Sequence, residues 1–330
     1  MTNELRRLAK IIEDNKSFFL VSHIDPDGDA VGSLIAMLLL LERRGKRAVA
    51  YDRDGVPQIY RFLKCSDRIS SSAPSSERFD AAIFLECPSM QRAGAECGEI
   101  VEKIPVWVNL DHHEGNARFG HLNIIRPELS AIGEFIFDLY EAMGEPMDTI
   151  VAEALYTAIM TDTGSYKYSN TTPRSHTISA RLIELGVSPC DVYQEIYEKL
   201  SPSAALITAR AHSTLELKDG ISCITITRAM LEEAGAGPED THDIVGLGRP
   251  IRSVEVALLF RETEDDIKVS LRSKNRIDVN KIAVGFGGGG HLRAAGCNIK
   301  GTMEEVKEKV LSAVRKALAE SQSAAAQTDE

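Results

Sequence analysis

Two short segments of the chain concentrate side chains that bind divalent metal ions. The loop Ser22-His-Ile-Asp-Pro-Asp-Gly-Asp29 holds one histidine and three aspartates, and Asp111-His112-His113 places two imidazoles beside an acid. Hard oxygen ligands combined with imidazole suit Mn²⁺ or Mg²⁺ better than a structural Zn²⁺. Two such segments predict one site that holds more than one divalent ion, the kind of site that cleaves phosphate esters.

Each segment also has an ordinary structural explanation. Asp29 at the start of a helix would stabilise that helix by itself, and a polar exit from a strand would account for a pair of histidines. Three aspartates and one histidine between His23 and Asp29 exceed what capping requires, so we favour metal binding there. The pair His112-His113 depends on that first cluster for its interpretation.

Two further patterns contain residues that could bind a metal ion or a phosphate. Asp162 follows an apolar helical segment at 150–160, and an acid at a helix C-terminus is unfavourable unless a cation lies nearby. Gly287-Gly-Gly-Gly-His291 can bring backbone N–H groups to an anion, and the cations of Ser270-Leu-Arg-Ser-Lys274 can clamp a phosphate. The alternatives are a polar helix end, a flexible loop and a solvated strand edge. The glycine run is neither a Walker nor a Rossmann sequence.

Short apolar runs alternate with helical patterns in the first part of the chain. Strands are predicted at 18–21, 47–51, 79–85 and 105–110, and their lack of polar alternation is typical of a parallel sheet covered on both faces. Both metal-capable segments follow such strands, at the edge where open α/β sheets gather ligands. Helices are predicted from Ser130 to about Leu217.

The second part of the chain has a different hydrophobic pattern. Strands are predicted at 221–226, 254–260 and 268–272, two of them with the alternation of a half-exposed sheet, followed by a helix near 303–320. The expected fold is therefore α/β: a parallel-sheet domain with helices on both faces, and a smaller α+β domain across a cleft. The expected boundaries are 1–190 for the metal-binding domain, 191–217 for a helical linker, 218–320 for the second domain and 321–330 for a frayed tail.

Composition narrows the class of protein. The 330 residues carry a net charge of −11, which argues against charge-driven binding to long nucleic acid but not against a short nucleotide held by metal ions. Six scattered cysteines without a CxxC pair predict reduced thiols in the cytoplasm. The apolar stretch at 30–41 is shorter than the roughly 20 residues that span a bilayer, and no secretion signal is expected.

Together these segments resemble the DHH phosphoesterase superfamily, in the branch that also carries a DHHA1 domain. Residues 22–33 are similar to its first motif, Asp111-His-His113 to the motif that names it, and 155–164 to its fourth motif. Gly287-Gly-Gly-Gly-His-Leu-Arg-Ala-Ala-Gly296 resembles the DHHA1 signature. The resemblance covers nearly the whole chain, and its size is closest to the NrnA-type oligoribonucleases and pAp phosphatases rather than to the longer RecJ exonucleases.

The resemblance implies a centre of two Mn²⁺ ions, with Mg²⁺ as the alternative. The family's second motif supplies an Asp that bridges both ions. Here the matching strand end, Ile83-Phe-Leu-Glu-Cys-Pro-Ser89, offers Glu86, which is one methylene longer and which we expect to take the bridging place. The other implied ligands are His23 and Asp27 for one ion, and Asp29, His112 and Asp162 for the second.

The resemblance also implies a mechanism. A water held between the ions would lose a proton near neutral pH and attack phosphorus in line, while cations offset charge on the phosphoryl oxygens. His113 would contact the scissile phosphate, and Asp111 would orient a ring. The active site would lie in the cleft between the domains, where the substrate's other end would meet Arg272, Ser273, Gly288, Gly289, Gly290 and His291.

The leading hypothesis is hydrolysis of short oligoribonucleotides and linear dinucleotides to mononucleotides, with conversion of pAp to AMP. An inorganic pyrophosphatase of the related DHH branch is the enzymatic alternative, although the complete GGGH segment with its RAAG continuation favours the nuclease side. A nucleotide-binding module with a degenerate metal site is the third hypothesis, and Glu86 alone favours it. Neither long duplex nucleic acid nor a membrane is an expected partner, and a homodimer is left open.

Overall fold

The chain divides into two compact units, Met1–Lys199 and Leu200–Glu330, and each contains its own sheet. A computed structural model describes residues 3–74, 77–241 and 244–328, apart from the side chains of His291 and of residues 322–328. No helix in these ranges combines the length and the apolar character that crossing a bilayer requires.

The first unit contains a six-stranded parallel sheet in the order β3-β2-β1-β4-β5-β6. Its strands are β1 Ser17–Val21, β2 Arg47–Tyr51, β3 Ile69–Ser70, β4 Ala81–Leu85, β5 Val106–Asp111 and β6 Leu122–Ile125. Its helices are α1 Asn3–Asp14, α2 Gly28–Arg43, α3 Ala95–Val101, α4 Ile132–Met143, α5 Thr149–Asp162, α6 Pro173–Glu184 and α7 Pro189–Tyr197.

Helices cover both faces of this sheet, which explains why its strands are apolar throughout. Phe18 and Leu20 of β1 belong to a core that includes buried residues of α1, α2, α4 and α5. Phe19 and Val21 point to the opposite face, where they share a core with α3. The predicted parallel sheet with helices on both faces is confirmed.

Close packing of α2 against α5 brings the first turn of α2 beside the last turn of α5. A Cβ at Gly32 would lie 2.3 Å from the carbonyl oxygen of Ala154, and a Cβ at Gly28 would lie 2.3 Å from Thr161 Oγ1. Only glycine permits this approach of the two backbones. The acids at these helix ends are consequently held near each other.

The second unit contains a mixed six-stranded sheet in the order β11-β12-β10-β9-β8-β7, in which only the β8–β9 pair is parallel. Its strands are β7 Glu216–Lys218, β8 Ile221–Ile226, β9 Val256–Glu262, β10 Ile267–Ser273, β11 Gly289–His291 and β12 Ala294–Ile299. Its helices are α8 Pro202–Ser213, α9 Arg228–Ala234, α10 Val279–Val284 and α11 Met303–Thr328. The predicted smaller α+β domain is confirmed as a class.

Details of the second unit differ from the sequence predictions. Strand β10 alternates as expected, with Lys268 exposed, but β8 is buried on both faces because the 3₁₀ segment Ile244–Gly248 packs against Ser222. Residues 289–291 of the expected glycine loop form a strand that pairs with β12. The last helix, predicted to end near Glu320, continues to Thr328, since the polar tail is rich in alanine, the strongest helix former.

Candidate metal centre

Six acid and histidine side chains converge at the carboxyl edge of the first sheet. His23 follows β1, Glu86 follows β4 and His112 follows β5. These three strands are parallel neighbours, so their carboxyl ends meet at one edge. The remaining three side chains come from the ends of the closely packed helices α2 and α5, and they are Asp27, Asp29 and Asp162.

The donor atoms of these side chains form compact groups. His23, Asp27 and Glu86 each offer an atom within 4.8 Å of the other two. Asp29, His112 and Asp162 form a second group within the same limit, and Glu86, His112 and His113 form a third. The structure thus gathers all the side chains that the sequence singled out as metal ligands, and Glu86 stands where the groups overlap.

Glu86 faces a histidine with each of its carboxylate oxygens. Its Oε2 lies 3.7 Å from His23 Nε2, and its Oε1 lies 3.7 Å from His112 Nε2. The backbone at Glu86 is left-handed, with a φ of 54°, a conformation that costs roughly 1–2 kcal/mol outside glycine. A hydrogen bond from its backbone N–H to the carbonyl oxygen of Leu110, at 2.8 Å, helps to hold this turn. The strain directs the side chain between the two histidines.

Backbone carbonyl groups orient both histidines. His23 donates from Nδ1 to the carbonyl oxygen of Ile24 at 2.8 Å, and His112 donates from Nδ1 to that of Leu129 at 3.1 Å. Each bond leaves Nε2 as the ring nitrogen that faces the carboxylates. His112 Nε2 lies 3.5 Å from Asp162 Oδ2.

The two aspartates of the first loop have different structural partners. Asp27 caps α2, since its Oδ1 accepts from the backbone N–H groups of Asp29 and Ala30 at 3.0 Å each. The Asp29 carboxylate is fully buried and accepts instead from the first turn of α4, from Ile132 N at 2.6 Å and Gly133 N at 2.9 Å. The capping explanation therefore applies to Asp27, and Asp29 is anchored from another helix.

The cluster fits a divalent metal centre. Among the described residues, Glu86 Oε2 and Asp162 Oδ2 are buried side-chain oxygens without a hydrogen-bond partner. Buried charged oxygens are costly unless they are paired or coordinate a metal. Carboxylate oxygens combined with imidazole nitrogens are a donor set that suits Mn²⁺ or Mg²⁺.

Burial and mutual repulsion make the aspartates harder to ionise than free aspartate. Burial, followed by the negative charge of Glu86, raises the pKa of Asp27 to about 6 and that of Asp29 to about 8. Burial also raises the pKa of Asp162 well above its ordinary value, although the charge of His112 opposes this. These three aspartates therefore bind protons more tightly than exposed aspartates do.

The Glu86 carboxylate favours the charged form of the two neighbouring histidines, whereas it disfavours the charged form of the aspartates. Burial would lower the pKa of His23, but the close approach and negative charge of the Glu86 carboxylate raise it to about 10. Burial likewise opposes the charging of His112, and the same carboxylate raises its pKa well above the usual value. Burial disfavours an ionised Glu86, yet the contacts with His112 and His23 hold its pKa well below the usual range. The site attracts positive charge, which a bound cation also supplies.

His113 is oriented by the neighbouring acid. Its Nδ1 donates to Asp111 Oδ1 at 2.7 Å, and the Asp111 side chain is fully buried. The rings of His112 and His113 lie edge to face, with centroids 5.1 Å apart. Two adjacent histidines at one strand end are therefore held in different directions by different partners.

The candidate substrate residues of the second unit fall at the end of β10 and on the glycine hairpin. Arg272 is partly buried, and one of its contacts is Nη1 to the carbonyl oxygen of Leu271 at 3.0 Å. The Ser273 hydroxyl, expected to contact substrate, is fully buried and donates to the carbonyl oxygen of Ile277 at 2.7 Å. The structure gives this hydroxyl a role in fixing the turn after β10.

The glycines of the hairpin are not equivalent. A Cβ at Gly288 would lie 2.1 Å from Gly296 O, and a Cβ at Gly290 would lie 2.5 Å from Ala294 O, so packing against β12 requires glycine at both. At Gly289 the nearest atom to a Cβ would be Asn280 Oδ1, at 4.0 Å. His291 lies on β11, and its side chain is outside the described part of the structure.

Sequence reasoning missed two polar residues beside the cluster. Arg92 donates from Nη2 to the carbonyl oxygen of Ile24 at 3.1 Å, the same oxygen that orients His23. Asn116 donates from Nδ2 to Asp111 Oδ2 at 2.5 Å. A Gly-Asn dipeptide that begins two residues after His113 signals a turn, and that signal marks Asn116 as a residue with a local hydrogen-bonding task.

Comparisons with known proteins agree with this geometry. A model of the DHH family, N-terminal domain, matches residues 17–159, and a DHHA1 domain model matches residues 223–320. The chain is 32% identical over 317 residues to the bifunctional oligoribonuclease and PAP phosphatase NrnA of Thermus thermophilus, covering 96% of this chain and 94% of that protein. The Bacillus subtilis protein of the same name is 24% identical over 302 residues, covering 91% and 93%.

Solved structures show the same architecture. An exopolyphosphatase-related protein from Bacteroides fragilis matches with a TM-score of 0.92 and 25% identity, covering 98% of this chain and 100% of that chain. RecJ from Thermus thermophilus in complex with Mn²⁺ matches with a TM-score of 0.55 and 12% identity, covering 95% of this chain and 55% of that one. The second match shows a shared fold alone.

The class of protein follows first: the fold, the donor cluster and the domain matches are those of a phosphoesterase. More particularly, the chain belongs to the DHH family with a DHHA1 domain, in the group that includes the NrnA proteins. The family and enzyme class predicted from the sequence are confirmed.

Proposed function

We propose that the protein uses two Mn²⁺ ions to hydrolyse short oligoribonucleotides and linear dinucleotides to mononucleotides, and to remove the 3′-phosphate from pAp. The observation that carries this proposal is a chain of donor groups in which Glu86 belongs to the group of His23 and also shares a group with His112, which belongs to the group of Asp29. The names of the two NrnA relatives, oligoribonuclease and PAP phosphatase, support this class of substrate. The RecJ complex and the donor set support Mn²⁺, with Mg²⁺ as the alternative ion.

The ligand assignment follows the groups. His23 and Asp27 would hold one ion, a second group of three side chains would hold the other, and Glu86 would be available to both. When bound, the ions supply positive charge to the phosphate and lower the pKa of a coordinated water. His113 contacts the scissile phosphate, and its bond to Asp111 fixes the orientation of the ring. The three side chains that would hold the second ion are Asp29, His112 and Asp162.

The second unit is proposed to hold the end of the substrate away from the reaction. Arg272 supplies a cation for a phosphate, and the hairpin of Gly288, Gly289, Gly290 and His291 supplies backbone N–H groups. Ser273 serves this end by fixing the turn after β10. A net charge of −11 suits a short substrate over a long duplex.

A reducing compartment is part of the proposal. All six cysteines are free thiols, and four of them are buried. Unpaired buried thiols are typical of proteins of the cytoplasm. We therefore place the activity there, and both a monomer and a homodimer agree with it.

A product assay tests the function. The full-length protein is incubated with Mn²⁺ and, separately, with pAp, ribonucleotides of two to five residues, and pyrophosphate, and the products are separated by chromatography. We expect AMP from pAp and mononucleotides from the oligomers. Hydrolysis of pyrophosphate alone would favour the pyrophosphatase, and the absence of hydrolysis of every substrate would refute an active enzyme.

A matched pair of variants ties activity to the cluster. Asp27→Asn removes a proposed ligand charge and is expected to abolish turnover. Asp25→Asn makes the same charge change two residues away, at an exposed position with a φ of 57° that asparagine tolerates. Asp25→Asn should retain activity, and equal losses in the two variants would contradict the assignment.

A further inference from the structure

Asn116 connects the two strand ends that carry the central residues of the cluster. Its Nδ2 donates to Asp111 Oδ2 at 2.5 Å and to the carbonyl oxygen of Cys87 at 3.2 Å. Cys87 directly follows Glu86 beyond β4, whereas Asp111 is the last residue of β5. One side-chain amide therefore ties the turn that presents Glu86 to the acid that orients His113.

The orientation of this amide is fixed by its surroundings. Its Oδ1 accepts from the backbone N–H of Arg118 at 2.6 Å, while its Nδ2 faces two acceptors. A flipped amide would place an oxygen against the Asp111 carboxylate. Only one orientation of the amide therefore satisfies these partners, and in it both Oδ1 and Nδ2 are hydrogen-bonded.

Asp111 depends on this amide for one of its two oxygens. Oδ1 accepts from His112 N at 2.8 Å, His113 N at 3.3 Å and His113 Nδ1 at 2.7 Å. Within the described contacts, Oδ2 accepts from Asn116 alone. Because the carboxylate is fully buried, loss of that donor leaves a buried charged oxygen unsatisfied and frees the carboxylate to rotate.

We propose that Asn116 is a positioning residue for phosphate-ester hydrolysis: its amide holds the Asp111 carboxylate, and through it the His113 ring, at a fixed distance from Glu86. The inference rests on the proposed contact of His113 with the scissile phosphate. It assigns to Asn116 an effect on turnover rather than on metal or substrate binding, because its amide contacts Asp111, Cys87 and Arg118, and none of these is a proposed ligand of the ions.

Two variants test the amide. Asn116→Ala removes all three hydrogen bonds, and Asn116→Asp keeps an acceptor for Arg118 N but replaces the donor with an oxygen that repels Asp111. Both are expected to lower kcat for pAp by about 10–100-fold, the effect of losing partners that orient a metal site, with KM and the number of bound Mn²⁺ ions unchanged. Asn123→Asp is the control, since Asn123 on the neighbouring strand β6 exchanges hydrogen bonds with Gly120.

An NMR measurement reports on the position of the His113 ring independently of turnover. In full-length protein with ¹⁵N-labelled histidine and Mg²⁺, the Nδ1–H resonance of His113 is assigned by its loss in His113→Gln. We expect both Asn116 variants to shift or broaden this resonance and Asn123→Asp to leave it in place.

The two arms separate this inference from the proposed function. An unchanged resonance overturns the inference, and so does a shifted resonance with unchanged kcat. A parallel fall in melting temperature and kcat that Asn123→Asp shares would also overturn it, because that result indicates a general structural role. If the wild-type protein hydrolyses no substrate, the proposed function fails, and the resonance alone decides whether Asn116 positions His113.

Discussion

The acidic cluster of the first unit and the glycine hairpin of the second unit both present sequence patterns with a chemical and a structural explanation. In the cluster, Glu86 Oε2 and Asp162 Oδ2 are buried without a hydrogen-bond partner among the described residues. In the hairpin, close packing already accounts for Gly288 and Gly290. A sequence pattern indicates chemistry most strongly where neither packing nor hydrogen bonding within the fold accounts for its residues.

Removing the charge of Glu86 should break this comparison most severely. Glu86→Gln is expected to reduce the bound Mn²⁺ from two ions to at most one and to lower kcat by more than about 100-fold. Loss of a side chain that binds the metal directly should cost more activity than loss of a residue that only orients a ligand. Isothermal titration calorimetry and steady-state kinetics measure both quantities. Glu86→Asp, which restores the family residue, is the matched control and should retain two ions. Two ions and full turnover in Glu86→Gln would remove Glu86 from the centre.

Metal affinity should depend on pH through the aspartates and His23. A ligand with a raised pKa keeps its proton below that pKa, so Mn²⁺ must displace protons from Asp27 below about pH 6, from Asp29 below about pH 8 and from His23 below about pH 10. The apparent affinity should therefore rise with pH from 6 to 8, by up to about tenfold per pH unit for each displaced proton. Calorimetry in two buffers of different ionisation enthalpy measures the released protons. A constant affinity over this range would show that neither Asp29 nor His23 holds a proton that Mn²⁺ displaces.

The cluster was predictable from the positions of its residues along the chain. His23, Asp27 and Asp162 stand at the ends of strongly apolar strands and helices, and the order of parallel neighbours brings those ends to one edge. Asn116 was not predictable, because one asparagine in a turn is common and its task appears only when two strand ends are seen together. Strand β11 was also missed, because a run of glycines gives no strand signal.

The hairpin glycines allow the two explanations to be separated residue by residue. Gly288→Ala should lower the melting temperature, because its Cβ would lie 2.1 Å from Gly296 O and such overpacking costs about 1–3 kcal/mol. Gly289→Ala has room for its methyl group and should leave the melting temperature unchanged. If the hairpin holds a phosphate, the methyl group at Gly289 should raise KM for pAp about tenfold, a loss of about 1.4 kcal/mol in binding. Unchanged kinetics in Gly289→Ala would reduce the hairpin to a packing element.

The smallest expected effect concerns Ser273, where the sequence suggested substrate contact and the structure shows a buried bond to the carbonyl oxygen of Ile277. Ser273→Ala should lower the free energy of unfolding by about 0.5–1.5 kcal/mol, because the Ile277 carbonyl oxygen would lose this donor but keep the one from Arg293 Nη1. Urea unfolding measures this change, and Ser270→Ala on the same strand, at a partly buried position, is the control. KM for pAp should stay the same in both variants. A raised KM in Ser273→Ala without loss of stability would return this hydroxyl to the substrate, since a bond that only fixes a turn affects binding through the fold.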